Sequence, residues 1–142
     1  MVKEKIKLKA MCLFVHKGKV LVAKGSDDLN GKKFYRVVGG SVEFFETAEQ
    51  GVRREIREEL LSEIENLKFL DIVENLFTFE GKRGHEVVFL YIGDLAKKEL
   101  YEQKTIRIIE PAWEIEAEWI PIEEILSGKM PLYPEYDYKK VL

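Results

Sequence analysis

Cysteine is almost absent from this sequence: Cys12 stands alone among 142 residues, inside the apolar run "AMCLFV". One thiol builds no disulfide framework, which excludes a fold stapled for an oxidising compartment. Cys12 reads either as a reactive nucleophile or, better, as a buried core residue. Long apolar runs are missing too, and nothing approaches the ~18 residues of a membrane span. The opening "MVKEKIKLKA" alternates charged and apolar residues and lacks the apolar core of a secretion signal. The expected compartment is therefore the cytoplasm. A basic surplus is also lacking, since 23 lysines and arginines face 26 aspartates and glutamates for a net charge of −3. Binders of duplex nucleic acid or anionic membrane usually carry a basic stripe, so neither partner is expected. Internal repeats, linkers and low-complexity tracts are absent as well.

What remains is the composition of an ordinary globular protein, 46% hydrophobic and 35% charged, and residues 1–142 are expected to form one domain with a real core. "IKLKAMCLFVHKGKVLVAKG" reads as two strands joined at Lys17-Gly18, and "KFYRVV" as a third strand ending at Gly39-Gly40. From Thr47 to about Leu61 the period lengthens, with Ala48, Val52, Ile56 and Leu60 recurring every four residues as on an amphipathic helix. Thr47 is its N-cap or lies one residue inside it. "LKFLDIVENLFTFEG" and "HEVVFLYIGDL" are strand-like runs separated by "GKRG", a second hairpin signal. "WEIEAEWI" alternates as a strand, and "PIEEILSG" is a short helix between Pro121 and Gly128. The tail "MPLYPEYDYKKVL" fits no single element. Strands before, between and after two helices predict an α/β (α+β) layered domain with a mixed sheet.

The long helix carries an oddity. At about 100° per residue, Glu55, Glu58 and Glu59 fall within an arc of about 100° and repel one another at i,i+3 and i,i+4 spacing. Something positive must sit among them. Arginine is the plain candidate, through pairs such as Arg54 with Glu58. A hard divalent cation is the other, because Mg2+ prefers carboxylate oxygen and bridges protein to phosphates.

The preceding residues bear on that choice. Gly40, Glu46, Arg54, Glu55, Glu58 and Glu59 fit G-x5-E-x7-R-E-U-x-E-E, with Ile56 at the apolar position U. In a chain with 21 glutamates, six arginines and ten glycines, chance would place those six with probability roughly 10⁻⁴. This stretch resembles the Nudix hydrolase box. The resemblance extends to the surrounding strand order and to "WEIEAEWIPIEEI", leaving out the tail. The sequence departs from the pattern at Leu61, where the family has a closing glycine, and at Ser62, where it has an apolar residue. Val38 and Phe45 replace a proline and a glycine common in the loop. Leucine at 61 favours continuing the helix toward Ser62 or Glu63.

The resemblance implies a Nudix-like α/β/α sandwich and hydrolysis of a diphosphate linked to another moiety, with Mg2+ or Mn2+ as cofactor. The implied metal ligands are Glu55, Glu58 and Glu59 with the carbonyl of Gly40. Arg54 and Glu46 are implied to tie loop to helix and orient the carboxylates. Glu114 is the first choice of general base, Glu116 the second and Glu55 the third. Alternation puts Glu114, Glu116 and Glu118 on one face, where exposed strand carboxylates are the plain alternative. Gly39 and Gly40 would let backbone approach the substrate, or simply end a strand. One of Phe44 and Phe45, taken as Phe45, would face the pocket, while Phe77 and Phe79 are expected in the core. His85 and Glu86 read as a polar hairpin shoulder, with substrate contact the alternative. The expected partner is a small nucleotide or nucleoside diphosphate derivative, and a homodimer is admitted. A catalytically silent module that binds and senses a nucleotide is the second functional reading, though such modules usually lose box carboxylates that this chain keeps. A plain interaction domain is the third.

Overall fold

The computed structural model describes residues 4–109 and 115–142. Turn chemistry sets its hairpins. β1 (Ile6–His16) and β2 (Lys19–Ser26) flank Lys17 and Gly18, whose φ values are 48° and 75°. Two successive residues with positive φ make the tight turn whose twist matches that of paired strands. The same device joins β4 (Ile64–Phe79) to β5 (Lys82–Leu95) through Glu80 and Gly81, with φ of 51° and 77°. The turn expected across "GKRG" thus begins one residue earlier, and Lys82 is already strand.

The remaining elements are β3 (Lys33–Ser41), α1 (Ala48–Leu60), β6 (Thr105–Ile108), β7 (Ile115–Pro121), α2 (Ile122–Ser127) and β8 (Leu132–Tyr133). The mixed sheet runs β4-β5-β1-β3-β2-β7-β6, with β8 added to β3. Only the β1–β5 and β3–β8 pairs are parallel. β3 belongs to both halves of the sheet: residues 33–37 pair with β2 and residues 38–41 with β1. It therefore divides the sheet into two arms, β4-β5-β1 on one side and β2-β7-β6 on the other.

Helices cover opposite faces, as expected of an α/β/α sandwich. The stripe of α1 packs Val52, Ile56 and Leu60 against Ala10, Cys12, Val38 and Trp119. Each such side chain contributes about 1.5–3 kcal/mol by leaving water. Ile125 of α2 joins Leu132 and Tyr138 from the tail over Met11, Leu13 and Val37 on the other face. Cys12 is a core residue, fully buried, and burial pushes its thiol up and keeps it protonated. No helix among the described residues is long and apolar enough to cross a membrane.

Both ends of α1 are built by short-range contacts. Thr47 is the N-cap: its Oγ1 accepts from the Gln50 N–H at 3.1 Å, and Gln50 Oε1 accepts from the Thr47 N–H at 2.8 Å. This reciprocal pair satisfies two otherwise orphaned donors. The C-terminus corrects the expectation of a longer helix. α1 stops at Leu60, and Leu61 takes φ 54° and ψ 40°, the conformation that favours glycine, with its N–H bonded to the Arg57 carbonyl at 3.1 Å. Tertiary contacts just beyond it demand the turn. Ser62 is buried, accepts from the Lys97 N–H at 3.0 Å and donates to the Glu63 carbonyl at 2.8 Å. Ile64 then enters the core. These contacts outweigh the left-handed penalty of about 1–2 kcal/mol on leucine.

Leu61 is 59% exposed, so replacing it removes little burial. Leu61→Gly should raise stability, by up to about 1 kcal/mol, because relief of strain exceeds the added chain entropy. A denaturant midpoint that falls on substitution would contradict this account of the helix end.

Candidate functional site

The site is built where β3 hands over to α1. Gly39 and Gly40 do different work there. Gly39 has φ of 144°, and a side chain on it would run into Ala10 and Met11 of β1. Gly40 faces the other way: a Cβ there would overlap the carboxylate of Glu55. Only at Gly40 does the missing side chain leave room for an acidic group against the backbone.

Arg54 holds this region together. Its Nε donates to Glu46 Oε2 at 2.8 Å, and its Nη2 donates to Glu46 Oε1 at 3.1 Å and to the Ser41 carbonyl at 2.8 Å. Its Nη1 donates to Glu55 Oε1 at 3.1 Å and to Glu58 Oε2 at 3.2 Å. A guanidinium has five N–H groups, and here each one finds an acceptor. The cation required among the acidic residues is thus, in this structure, an arginine. The forked pair with Glu46 ties the loop to the helix, and Glu46 Oε1 also accepts from the Glu43 N–H at 2.9 Å. The hydrogen bond from Arg54, then that from Glu43, holds the Glu46 carboxyl below its ordinary value. The same pair raises the pKa of Arg54.

The three helix carboxylates have separate environments. The Glu58 side chain is 59% exposed, Glu55 17%, and Glu59 is buried at 3%. Among the described residues no three acidic, histidine or cysteine side chains converge tightly enough to hold an ion by themselves. The donor set still fits a hard cation rather than a soft one, since every candidate is a carboxylate or carbonyl oxygen. The bare flank of Gly40 is filled by the Glu55 carboxylate itself, which sets that group beside the backbone.

Other expected site residues are more scattered. Glu114 lies outside the described residues. Glu116 is exposed, and Glu118 pairs with Lys24. Phe45 has φ of 68° and is 97% exposed, with its ring centroid 6.3 Å from that of the equally exposed Phe44. The expected core placement of Phe79 is corrected: it is 36% exposed and packs edge-on against Phe34 at 6.0 Å. His85 lines an open hollow of about 660 Å³ with Ile6, Leu76 and Arg83, away from the carboxylates. Ser41 and Lys9 are additions: Ser41 accepts from Arg54 through its carbonyl, and its Oγ accepts from Lys9 Nζ at 3.0 Å. Ser41 follows the glycine pair directly and was open to notice. Lys9 reaches it only through long-range pairing of β1 with β3.

Comparison with known proteins places the fold. The NUDIX domain family model matches residues 7–139. Among solved structures, the chain is similar to a MutT NUDIX hydrolase from Burkholderia pseudomallei, at 22% identity and a TM-score of 0.57 over 84% of this chain and 86% of that one. It is also similar to a NUDIX hydrolase from Nitrosomonas europaea, at 16% identity and a TM-score of 0.60 over 87% and 77%. A MutT protein from Bacillus halodurans aligns at 21% identity and a TM-score of 0.54 over 90% and 75%. At these identities the likeness concerns the fold.

The lowered Glu46 carboxyl sets a pH dependence. Its folded value lies below the ordinary 4.5, so its contribution to stability is complete above that value and is lost as pH falls through the folded one. Glu46→Gln removes this contribution. Melting curves should show a gap between wild type and variant that is constant at neutral pH and narrows through the acid range. A gap that persists unchanged in acid would place the stabilisation elsewhere.

Proposed function

The chain belongs to the Nudix family and is a pyrophosphohydrolase of that kind, and from this premise we propose that it cleaves a diphosphate linkage in a nucleoside triphosphate, or in a nucleoside diphosphate joined to another moiety, using Mg2+ or Mn2+. On this reading residues 1–142 act as one catalytic domain. The observation that carries the proposal is the Glu55 carboxylate set against the bare backbone of Gly40 and fixed by Arg54. An acidic site takes a diphosphate only when cations intervene, and these oxygens are of the type that Mg2+ and Mn2+ prefer.

The residues that would hold the metal are Glu55, Glu58 and Glu59 with the Gly40 carbonyl. When bound, the metal supplies positive charge against the phosphate oxygens and makes water more acidic. The protein's share is positioning. Arg54 fixes one oxygen of Glu55 and one of Glu58, and Glu46 fixes Arg54, so the carboxylates need little reorganisation on binding. Gly40 would offer the substrate bare backbone beside Glu55, whereas Gly39 is held in the packing against β1 and Phe45 stands exposed in the loop with no part assigned to it. Glu114 is assigned as the general base that takes the proton of the attacking water, with Glu116 the second candidate. Glu55 is third, since Arg54 already holds one of its oxygens.

Three measurements bear on this. A melt in millimolar Mg2+ or Mn2+ should rise relative to one in chelator, by about 2.7 kcal/mol at a hundredfold excess over the dissociation constant. No shift with either metal would remove the metal site. Hydrolysis of a panel of nucleotides, dinucleotides and sugar nucleotides, followed as the nucleoside monophosphate formed, should find a substrate, with Glu55→Gln and Glu59→Gln each reducing its turnover by about a hundredfold or more. Turnover near wild type in both variants would overturn the assignment. Glu114→Gln should reduce the rate about 10²- to 10⁴-fold while leaving stabilisation by metal intact. That pattern in Glu116→Gln alone would assign the base to Glu116.

A further inference from the structure

Substrate phosphates carry more negative charge than metal alone contacts, and the oxygens left over need donors from the protein. Arg54 is the obvious cation near the carboxylates, yet all five of its N–H groups are committed to Glu46, Glu55, Glu58 and Ser41. It is a structural tie with no donor left to give. The donors must come from elsewhere.

Two other cations stand on the strands that lead to this region, Lys9 on β1 and Arg36 on the part of β3 that pairs with β2. Lys9 of β1 sits opposite Ser41 of β3, and its side chain is 14% exposed. Its Nζ donates to Ser41 Oγ at 3.0 Å. Glu86 Oε2 lies 3.9 Å away, an ion pair but too long for a hydrogen bond. An ammonium has three protons, so two lack an acceptor among the described residues. Arg36 of β3, paired with Ala23 of β2 and Tyr133 of β8, is half-buried. Among the described residues it has neither an ion pair nor a hydrogen-bonding acceptor. Arg36 shares a face of β3 with Phe34, two residues before it, and Phe34 packs on Phe79 of the β4-β5-β1 arm, so Arg36 is turned toward that arm. Burial pushes Lys9 below the ordinary lysine value, Glu86 opposes this, Arg36 and Lys7 push it down further, and Glu55 opposes it. Two half-buried cations that repel, with donors unused, form a place prepared for an anion.

The surroundings give that place a shape. The arms meet at their far ends, where the Glu80 N–H donates to Asp27 Oδ2 at 2.9 Å and Phe34 packs on Phe79. Tyr133 lies edge-on to Phe34 at 5.6 Å. Arg36 stands on β3 between Phe34 and Gly40, and Lys9 lies opposite Ser41 at the Gly40 end. Asn75, buried, donates to Glu86 Oε1 at 3.4 Å and so helps to hold the carboxylate beside Lys9.

We propose that Lys9 of β1 and Arg36 of β3 together form the subsite that binds the substrate's phosphate oxygens, with Ser41 and Glu86 positioning Lys9. The proposal rests on the reading of the substrate as a diphosphate, and it orients that substrate: phosphates between the two cations, and the organic moiety toward Phe34, Phe79 and Tyr133.

Imidodiphosphate, a diphosphate with a bridging nitrogen that resists hydrolysis, tests this without turnover. Calorimetric titration at fixed Mg2+ should show binding to wild type that weakens about tenfold or more in Lys9→Met and in Arg36→Gln, as expected for loss of a charged hydrogen-bond donor. Binding should also depend less steeply on salt in each variant. Lys9→Arg should retain most of the affinity, which separates lost charge from lost packing. A melting shift with Mg2+ alone should persist in all three variants. Wild-type affinity in both Lys9→Met and Arg36→Gln, or no binding of imidodiphosphate by wild type, would overturn the subsite. A protein that turns over nothing in a substrate panel, yet loses imidodiphosphate with Lys9 and Arg36, would keep the subsite and lose the hydrolase reading.

Discussion

One guanidinium organises the working end of this protein. Arg54 reaches the last strand residue of β3, the loop that follows and two carboxylates of its own helix, and it does so with every donor it has. Because a charged group leaves water only when its hydrogen bonds are replaced, each contact requires the others. Loop, strand end and helix are consequently one rigid unit, and the acidic groups inherit their positions from it. The clustering of glutamates on α1 is tolerable in the free protein because that single cation lies among them. The price of this arrangement is that Arg54 is unavailable to anything else, which is why donors for a ligand must be sought on other strands.

Glu58 and Glu59 show how far a helix can differentiate adjacent residues. A step of about 100° turns one outward, with its side chain 59% exposed, and the other inward to 3%. The same residue type then meets two dielectric environments one position apart. The outward group is screened by water, while the inward one feels nearby charge strongly. A cluster that reads as uniform in one dimension is graded in three, from solvent at Glu58 through Glu55 to the interior at Glu59.

The parts of the structure that were legible in the sequence are those governed by local rules. The apolar stripe of α1, its Thr47–Gln50 cap, the Lys17-Gly18 turn and the Pro121-to-Gly128 limits of α2 all follow from neighbours within about four residues. The tie between Glu46 and Arg54 was legible too, because both belong to one spaced pattern. What escaped was set at long range. Leu61 has every local reason to extend the helix, and the contacts of Ser62 and Ile64 overrule it. Gly39 and Gly40 are the same residue in adjacent places, and only the position of β1 shows that one serves packing and the other the site. Lys9 and Arg36 lie 27 positions apart in the chain; no period or spacing links them, and only the pairing of β3 with both β1 and β2 connects their strands. Phe79 was expected in the core because it is apolar, but the hairpin carries it out to meet Phe34.

The bond between Asp27 and Glu80 joins two loops that contain none of the acidic residues of the helix. It spans the arms at the end opposite the carboxylates, so the lengths of the β2–β3 loop and of the β4–β5 hairpin set how far apart the arms stand. Insertions or deletions there would alter the width and lining of the space between the arms while leaving the Arg54 unit intact. Changes at two loop tips can therefore reshape that space without touching the residues that hold the carboxylates in place.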